Sequence, residues 1–464
     1  MKSALHWFRR DLRITDNTAL AAAASDAESV VPVYVTSRWR GGHRWTGAPR
    51  QAFLCGSLAS LDKNLRSIGS RLVVREGDAV EELVRLAREA GAEVVFTNRD
   101  PDPFGRKQEE RLAGALKAEG RELRVFKDVA MHERDEVRTG EGTPFRVFTP
   151  YSRAWAKLPK PSAGPRLTRL TTPEGLRSEG LPEPGRWGLE PFRGGVEPGE
   201  KAARERLRKF LAGPILSYAA RRDTMADDGT SRLSQDLRMG LLSPREVYHR
   251  ARTAAEGAEA DGRDSVWKFI SELVWREFYF QILWHHPEVL DHEFNPKYRG
   301  MEWDTDAQKF AAWCAGRTGF PIVDAAMRQL EATGFMHNRA RMITAMFLTK
   351  DLHLDWRMGE GFFMQQLIDG EIASNNGGWQ WSAGTGADAA PYFRIQNPWT
   401  QCSRYDPEGA YVKRWVPELA GVAVRKILAP PADGKPLVPD YPLPMVDHGT
   451  ERDETLRRFR ETAT

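Results

Sequence analysis

The segment RLVVREGDAVEELVRLAREAGAEVVFT (71–97) contains the two hydrophobic periodicities that decide the fold. Its ends, RLVV (71–74) and EVVFT (93–97), are short apolar runs of the kind found in buried strands. The apolar residues between them have helical spacing: Val80, Leu83, Val84 and Ala87. This helix is predicted to begin after Asp78 and to end at Gly91. A strand, a helix and a strand in succession predict one unit of a parallel sheet.

The same alternation extends over residues 3–128. Three further apolar runs predict strands: SALHWF (3–8), VVPVYVTS (30–37) and LRVF (123–126). Five strands alternating with four helices predict a doubly wound, Rossmann-like parallel sheet. No GxGxxG follows the first strand, where FRRDLRITD (8–16) stands instead, so ordinary dinucleotide binding is not indicated.

The rest of the chain divides into a linker and a helical region. Three segments rich in Pro and Gly (LPKPSAGP, LPEPGRWG and VEPGE) lie within residues 158–200 and lack sustained periodicity. Beyond them, five segments have helical patterns: 200–211, 243–257, 265–287, 318–334 and 336–354. The sequence therefore predicts an α/β domain at 1–130, a connecting linker at 131–200 and a large all-α domain at 201–464.

Composition excludes several classes of protein. The chain has 464 residues and a formal net charge of +4, which by itself does not indicate a nucleic-acid partner. Its three cysteines are widely spaced, so neither a disulfide framework nor a metal site is predicted. No apolar run reaches the roughly 18 residues of a membrane span, and the N-terminus has no apolar signal region. We expect a cytoplasmic protein that does not bind membranes.

Tryptophan is unusually abundant. Ten of the 15 Trp residues follow residue 260. The indole ring is large and its N–H needs a partner when buried. This abundance predicts either an unusually large core or the wall of a site.

Two segments favour the binding of an anion. GTSRLS (229–234) places the hydroxyls of Thr230, Ser231 and Ser234 before a helical stretch, where free N–H groups suit a diphosphate. Simple N-capping is the alternative, and it is favoured when this segment is taken alone. MHNRARM (336–342) places Asn338, Arg341 and Met342 on one helix face with Arg339 beside it. That face suits phosphates or a polar ring, and a solvated helix surface is the alternative.

Two further segments combine polar groups with indoles. Residues 266–284 predict a helix that is buried nearly all round, with Lys268, Glu272 and Arg276 spaced i, i+4, i+8. They form either an internal ion-pair ladder or, with Trp275, a grip on a flat polar ring. LIDGEIASNNGGWQW (367–381) groups carboxyl and amide side chains beside two indoles, which suits stacking on a heteroaromatic ligand better than a surface turn.

Taken together, these motifs resemble the photolyase/cryptochrome family, and most closely its class I cyclobutane pyrimidine dimer photolyases. The resemblance runs almost end to end and rests on six segments: HWFRRDLRITDN (6–17), GTSRLS (229–234), ELVWREFY (272–279), TGFPIVDAAMRQLEATGFMHNRARM (318–342), DWRMGEGFFMQQLIDGEIASNNGGWQW (355–381) and DAAPYFRIQNP (388–398). It implies that FAD, reduced and anionic when active, binds in the helical domain. It also implies light-driven repair of UV-damaged DNA, in which an electron splits a pyrimidine dimer that has been flipped out of the duplex.

The resemblance implies a role for each matching residue. FAD would be bound by Tyr218, Thr230, Ser231, Arg232, Leu233, Ser234, Phe269, Glu272, Arg276, Asn338, Arg341, Asp369, Gly370, Glu371 and Asn375. Asn375 would face flavin N5, and Glu272 would hydrogen-bond the damaged pyrimidine. The dimer and its flanking phosphates would be held by Trp275, Trp381, Asn338, Met342, Arg222 and Arg339. Electrons would reach the flavin through Trp303, Trp356 and Trp379.

The family also sets the alternatives. A cryptochrome, a blue-light sensor without repair activity, is the main one, but plant-type members usually have Asp at the position of Asn375 and lack the Trp at 381. A (6-4) photolyase would be expected to show His at the MHNRARM site with a second His nearby, and Asn338 and Met342 speak against it. A flavin electron-transfer protein would not need Arg222, Arg339 and Trp275 together. Phe269 and Phe335 stand where relatives often carry Trp, and both keep an aromatic wall.

A second, antenna chromophore (deazaflavin, folate or FMN) is implied for the α/β domain. TNRDPDPFGRK (97–107) is nearer the deazaflavin-type pattern than the folate type, and an empty antenna pocket is the alternative. We expect a monomer with no obligate protein partner.

Overall fold

The computed structural model describes residues 1–37, 44–192, 194–389, 391, 393–432 and 434–462. Five strands form one parallel sheet in the order β3-β2-β1-β4-β5. Their bounds are β1 Ser3–Trp7, β2 Ser29–Thr36, β3 Val73–Glu76, β4 Val94–Asn98 and β5 Glu122–Phe126. The predicted doubly wound sheet is confirmed.

Four helices cover both faces of this sheet: α1 Thr18–Asp26, α2 Ala48–Arg66, α3 Ala79–Glu89 and α4 Pro103–Lys117. Neighbouring residues of β1 point to opposite faces, so Ala4 packs in the core that contains α1 and α2, while Leu5 packs in the core that contains α3 and α4. The α3 boundaries are as predicted. Asp78 accepts hydrogen bonds from the first-turn backbone N–H groups, and Gly91, with φ of +59°, follows its last turn.

The predicted linker contains a helix that the sequence analysis did not predict. This helix, α5 (Phe148–Lys157), packs on a long helix farther along the chain, α10 (Ala260–His285). Trp155 of α5 donates its indole N–H to the buried carboxylate of Glu277 on α10, at 2.6 Å. The linker is therefore fastened to the helical region. The predicted domain boundaries stay a prediction.

The remaining described helices are α6 Glu200–Leu211, α7 Tyr218–Arg221, α8 Ser234–Met239, α9 Pro244–Ala255, α11 Ala307–Cys314, α12 Pro321–Thr333, α13 Asn338–Met346, α14 Trp356–Gln366, α15 Ile372–Ala383, α16 Pro398–Tyr405, α17 Ala410–Trp415, α18 Val424–Ile427 and α19 His448–Thr462. A π-helical turn, Phe347–Asp351, extends α13, and five short 3₁₀ helices lie at 184–187, 214–217, 287–290, 296–298 and 417–419. No helix within the described ranges is long and apolar enough to cross a membrane.

Two hydrophobic cores organise the helical region. One joins α6, α9 and α10 to the sheet, and the other gathers α11 to α17. A buried ion pair between Arg10, after β1, and Glu371, before α15, also connects the sheet to the helices. The helices around α10 are thereby held in a fixed relation to the end of β1.

Candidate functional site

A cavity of about 470 Å³ lies among α8, α10, α13 and α15. This volume is within the range of pockets that bind small molecules and cofactors. Most of the predicted site residues line it: Tyr218, Arg222, Ser231, Leu233, Ser234, Phe269, Glu272, Trp275, Arg276, Asn338, Arg341, Met342, Asp369, Gly370, Glu371, Asn375, Trp379 and Trp381. The chain thus brings together segments that lie up to about 160 residues apart in sequence.

Helix α10 contributes one polar face to the cavity. Lys268, Glu272, Trp275, Arg276 and Tyr279 line it, while the intervening residues are largely buried in the core. The predicted burial of this helix is wrong for its first turns, where Trp267 is 43% exposed, although the Arg252 guanidinium of α9 lies 4.8 Å from its ring centroid. The helix therefore serves as a wall of the cavity as well as a core element.

The alternative of an ion-pair ladder along α10 is wrong. Glu272 pairs with Arg222, at 2.5 Å between the Glu272 Oε1 and Arg222 Nη1 atoms. Arg276 donates instead to the backbone carbonyls of Val129 (2.7 Å) and Leu237 (3.3 Å). The charged groups of α10 thus turn toward other segments around the cavity.

Positive charge at the cavity wall lacks full compensation. Burial, together with the neighbouring charge of Arg10, lowers the pKa of Arg276 to about 9. Burial and the charge of Arg10 also hold the pKa of Arg238 well below its ordinary value, and its Nε donates to the Gly370 carbonyl at 2.8 Å. An anionic ligand would relieve this excess of positive charge.

Two carboxylates face the same cavity. Burial alone would raise the pKa of Asp369, but Arg341, 2.8 Å away, outweighs it and holds that pKa below its ordinary value. Asp369 Oδ1 and Glu371 Oε1 are buried, and neither has a hydrogen-bond partner within the described part of the chain. Buried acceptors are normally satisfied, so these oxygens indicate a ligand that presents N–H or O–H groups.

The GTSRLS segment contributes only part of what was predicted. Ser231, Leu233 and Ser234 line the cavity, but Thr230 and Arg232 do not. The Arg232 guanidinium lies 3.5 Å from the centroid of the Phe335 ring instead. No side chain caps α8, so the N-capping alternative is wrong. The Ser234 hydroxyl instead interacts with Asp369 and helps to lower the pKa of that carboxyl.

Arg339 also lies outside the cavity lining. It forms an ion pair with Asp223 at 2.9 Å, and its guanidinium lies 4.5 Å from the centroid of the Tyr405 ring. The neighbouring Asn338, Arg341 and Met342 face the cavity as the helical spacing predicted. A solvated surface is therefore wrong for this face of α13.

Helix α15 presents amide and indole groups to the cavity. Asn375 Nδ2 donates to the backbone carbonyl of Glu360 on α14, at 3.1 Å, which fixes the orientation of the amide. A Cβ at Gly377 would lie 2.1 Å from the Tyr279 ring, so only glycine lets α15 approach α10 this closely. Trp379 is buried, and its Nε1 has no hydrogen-bond partner within the described residues.

The three tryptophans of the predicted electron path differ in exposure. Trp379 and Trp356 are buried, whereas Trp303 is partly exposed. A backbone bridge between Asp304 and Leu354 places the segments of Trp303 and Trp356 side by side. Trp303 thus lies nearest the surface, and the order of the three indoles along the electron path stays a prediction.

Trp275 is held from one side. Its ring stacks on Phe148 of α5 with centroids 3.6 Å apart and an angle of 5° between the planes. Trp381 lines the same cavity and is half-buried. Two indoles therefore stand at the cavity that also contains the buried carboxylates.

Several lining residues were missed by sequence reasoning. Ser374, Gly378 and Ser382 lie on the same face of α15 as Asn375, and the helical spacing of that segment could have revealed them. Arg238 also lines the cavity but gave no such signal, because α8 has only six residues. Phe148 supports Trp275 from outside the lining and was missed because α5 was not predicted.

Comparison with known proteins identifies the family. Residues 4–170 match the family model for DNA photolyase, and residues 269–461 match that for the FAD binding domain of DNA photolyase. The chain is 38% identical over 462 residues to a deoxyribodipyrimidine photo-lyase of Synechococcus sp., covering 97% of this chain and 95% of the relative. The chain belongs to the photolyase/cryptochrome family. As a member of this family it uses FAD, and the predicted family, fold class and cofactor are confirmed.

Solved structures agree with this membership. The photolyase-family fold is similar to that of a bacterial class III photolyase from Agrobacterium tumefaciens, with a TM-score of 0.92 and 37% identity, covering 100% of this chain and 98% of that chain. An archaeal photolyase from Sulfolobus tokodaii with two FAD molecules (TM-score 0.86, 30% identity) covers 99% and 100%. A cryptochrome from Synechocystis sp. (TM-score 0.89, 28% identity) covers 98% and 99%. The narrower class I assignment stays a prediction.

Proposed function

We propose that this photolyase-family protein is a light-driven DNA repair enzyme, a deoxyribodipyrimidine photo-lyase that splits cyclobutane pyrimidine dimers in UV-damaged DNA. One observation carries the proposal. A single cavity is lined both by the residues assigned to the flavin and by Glu272, Trp275 and Trp381, which are assigned to the lesion. A flavin and a flipped-out pyrimidine dimer that share one cavity would lie close enough for electron transfer.

The flavin assignment is supported by the polar groups of the cavity. Asp369 and Glu371 each offer a buried oxygen without a partner to the N–H and O–H groups of the isoalloxazine and ribitol. The underneutralised guanidinium groups of Arg238 and Arg276 favour a diphosphate and an anionic reduced ring. When bound and reduced, FAD supplies the electron that opens the cyclobutane ring and then takes that electron back.

Asn375 would stabilise one protonation state of the flavin rather than donate or accept a proton itself. Because its Nδ2 already donates to the Glu360 carbonyl, the amide has a fixed orientation toward the cavity. An oriented amide dipole stabilises a chosen protonation state of the ring atom that it faces. We assign this function to Asn375 at flavin N5.

The lesion assignment rests on Trp275, Trp381 and Glu272. A lesion weakens base stacking, so a dimer costs less to flip out than normal bases do. The free face of Trp275 and the ring of Trp381 would stack on the flipped dimer, excluding water from it. Glu272 would hydrogen-bond the damaged pyrimidine, with Asn338 and Met342 close by. Arg222 and Arg339 would bind the flanking phosphates.

Reduction of the flavin is assigned to Trp303, Trp356 and Trp379. The partial exposure of Trp303 and the burial of Trp356 and Trp379 support an electron path from the surface inward. A partly exposed indole can take an electron from solution, whereas a buried one is protected from side reactions. We therefore place Trp303 at the entrance of the path and Trp379 at its end beside the cavity.

The decisive experiment is direct. Purified protein with chemically reduced FAD is illuminated with blue light in the presence of DNA that contains thymine dimers, and restored thymines are counted. Light-dependent restoration supports repair. Flavin photochemistry without restored thymines would instead assign the protein to cryptochrome-type light sensing, which the similarity to the Synechocystis cryptochrome makes the relevant alternative.

Three narrower assignments belong to the same proposal. We place the protein in the cytoplasm as a monomer that acts on DNA without a protein partner. We assign a second chromophore of the deazaflavin, folate or flavin class to the α/β domain. Absorption spectra of the purified protein before and after extraction of FAD would reveal any second chromophore.

A further inference from the structure

One buried carboxylate connects two of the tryptophans assigned to the electron path. Glu293 Oε1 accepts hydrogen bonds from Nε1 of Trp356 (3.1 Å) and from Nε1 of Trp303 (3.2 Å). These two residues lie 53 positions apart in the chain, so the shared acceptor depends on the fold and not on local sequence. A positive charge on either indole would therefore be close to the same carboxylate oxygen.

The Glu293 carboxylate pairs with Arg357, whose guanidinium lies over one of the two indole rings. Arg357 Nη2 lies 3.1 Å from both oxygens of Glu293. Its guanidinium also lies over the Trp356 ring, 4.6 Å from the ring centroid. The structure shows no such contact between Arg357 and Trp303 within the described residues.

We propose that Glu293 and Arg357 together direct the positive charge of photo-oxidation from Trp356 to Trp303. This inference rests on the proposed electron path. Glu293 stabilises an oxidised indole at either position, because a hydrogen bond from a cationic N–H to a carboxylate is stronger than one from a neutral N–H. Arg357 repels positive charge on the Trp356 ring more strongly than on Trp303, because its guanidinium lies over the Trp356 ring, so oxidation is favoured at Trp303.

The step is a simple electron transfer. One electron passes from the Trp303 ring to the oxidised Trp356 ring, and no covalent bond forms or breaks. The Nε1 proton stays on Trp303, since Glu293 is a weak base: burial would raise its pKa, but the hydrogen bond from Trp356 and the charge of Arg357 outweigh burial and hold that pKa below its ordinary value. A thiol reductant in solution then donates an electron to oxidised Trp303, which is partly exposed.

Other charges near this pair are already paired or act on the backbone. Arg299 Nε donates to the backbone carbonyl of Glu293 at 3.0 Å. Asp304, next to Trp303, pairs with Arg458 at 2.8 Å. Asp355, next to Trp356, pairs with Arg357 itself at 3.1 Å. Among the described residues, the contacts of ionic groups with the two indoles are those of the Glu293 carboxylate and the Arg357 guanidinium.

The test follows oxidised tryptophan by time-resolved absorption after a light flash, in protein that contains oxidised FAD. Glu293→Gln keeps the size and an acceptor oxygen but removes the charge, so we expect the lifetime of oxidised tryptophan to shorten about tenfold or more, given the strength of charge pairs at this distance. Glu293→Asp keeps the charge and should restore part of the lifetime. Glu288→Gln is the matched control, since Glu288 is an exposed carboxylate five residues earlier that contacts neither indole.

Arg357→Gln tests the direction of the effect. Removing the repulsion at Trp356 leaves more of the positive charge on that buried indole, so quenching of the radical by a dissolved thiol should slow about tenfold. A purely structural role would change both variants in the same sense. A shorter lifetime of oxidised tryptophan in Glu293→Gln, together with slower quenching by the thiol in Arg357→Gln, supports the inference.

Two results separate this inference from the proposed path. If Trp303→Phe slows photoreduction while Glu293→Gln behaves like Glu288→Gln, the path stands and the inference is overturned. If Trp303→Phe and Trp356→Phe both reduce the flavin at the normal rate under light, the path is wrong and the inference fails with it.

Discussion

Arg222 and Glu272 form an ion pair in the wall of the cavity, with 2.5 Å between Nη1 and Oε1. Burial alone would lower the pKa of Arg222, but Glu272 outweighs it and holds that pKa above its ordinary value. The proposed function gives these two residues different ligands, a DNA phosphate and a damaged pyrimidine. Each must therefore exchange its partner when DNA binds, and the pair holds both side chains in place until then.

This pairing predicts the behaviour of Glu272→Gln. The variant frees Arg222, so binding to undamaged DNA should be equal or tighter, and its salt dependence steeper by about 0.9 if Arg222 gains one phosphate. Repair per absorbed photon should fall several-fold, because the charged partner of the pyrimidine is lost. Repair per absorbed photon is measured with chemically reduced enzyme and dimer-containing DNA. Glu331→Gln, at an exposed carboxylate outside the cavity lining, is the control, and equal repair yields in the two variants would contradict the role of Glu272.

The stacking of Trp275 on Phe148 predicts a graded loss of lesion recognition. Since Phe148 covers one face of the indole, a single face is left for the lesion. Trp275→Ala should weaken binding to dimer-containing DNA by about 5- to 150-fold, the usual range for one stacked base. Phe148→Leu should give a smaller loss, because the indole stays but is held less firmly.

Binding to damaged and undamaged DNA, measured side by side, tests both variants. Flavin absorbance and affinity for undamaged DNA should not change in either. Unaltered discrimination between the two DNAs in Trp275→Ala would remove Trp275 from the lesion site.

Salt dependence tests the phosphate contact assigned to Arg339. Affinity for DNA should fall linearly with the logarithm of salt concentration. Arg339→Gln should reduce the slope by about 0.9, the contribution of one duplex phosphate, and should weaken damaged and undamaged DNA alike. Arg177→Gln, at an exposed position of the linker, should leave the slope unchanged. A loss confined to damaged DNA would assign Arg339 to the lesion instead.

The sequence predicted those parts of the site that depend on local spacing. Helical periodicity in MHNRARM correctly placed Asn338, Arg341 and Met342 on one face, and Asp78 and Gly91 correctly bounded α3. The alternation of apolar runs was sufficient for the sheet, since parallel strands are buried on both sides and read as continuous apolar segments.

Pairings between distant segments could not be predicted. Arg222 with Glu272, Phe148 with Trp275 and Arg10 with Glu371 each join segments that only the tertiary fold brings together. The i, i+4 spacing on α10 suggested ion pairs along the helix itself, but Glu272 and Arg276 contact groups on other segments instead. Local pattern thus indicated which residues matter but not which residues they contact.

Glu360 predicts a pH dependence of stability. Burial raises its pKa to about 7, despite a hydrogen bond from Asn376 and the charge of Arg44. The folded state therefore holds a proton that the unfolded state releases near its ordinary value of 4.5, so stability falls as the pH rises above about 4.5 and the loss is complete once the pH passes about 7. Glu360→Gln is permanently neutral, so it should be more stable than the parent by about 1–3 kcal/mol at pH 8 and nearly equal at pH 5. Urea unfolding at both pH values measures this difference, and a variant that is less stable at pH 8 would show that Arg44 depends on the charged form.

Trp379 provides the most direct test of flavin reduction. Its ring packs against Phe363 (5.0 Å between centroids) and Trp313 (6.0 Å), and a Cβ at Gly359 would lie 2.1 Å from it, so the ring is fixed beside the cavity. Trp379→Phe keeps an aromatic ring in this space but is much harder to oxidise, so photoreduction of oxidised FAD should fall at least about tenfold, the change expected from about 1.4 kcal/mol in the barrier. Trp267→Phe, at an exposed indole, is the control. Because repair by chemically reduced enzyme needs no electron from tryptophan, that activity should persist in Trp379→Phe, whereas photoreduction at the parent rate would mean that electrons reach the flavin by another route.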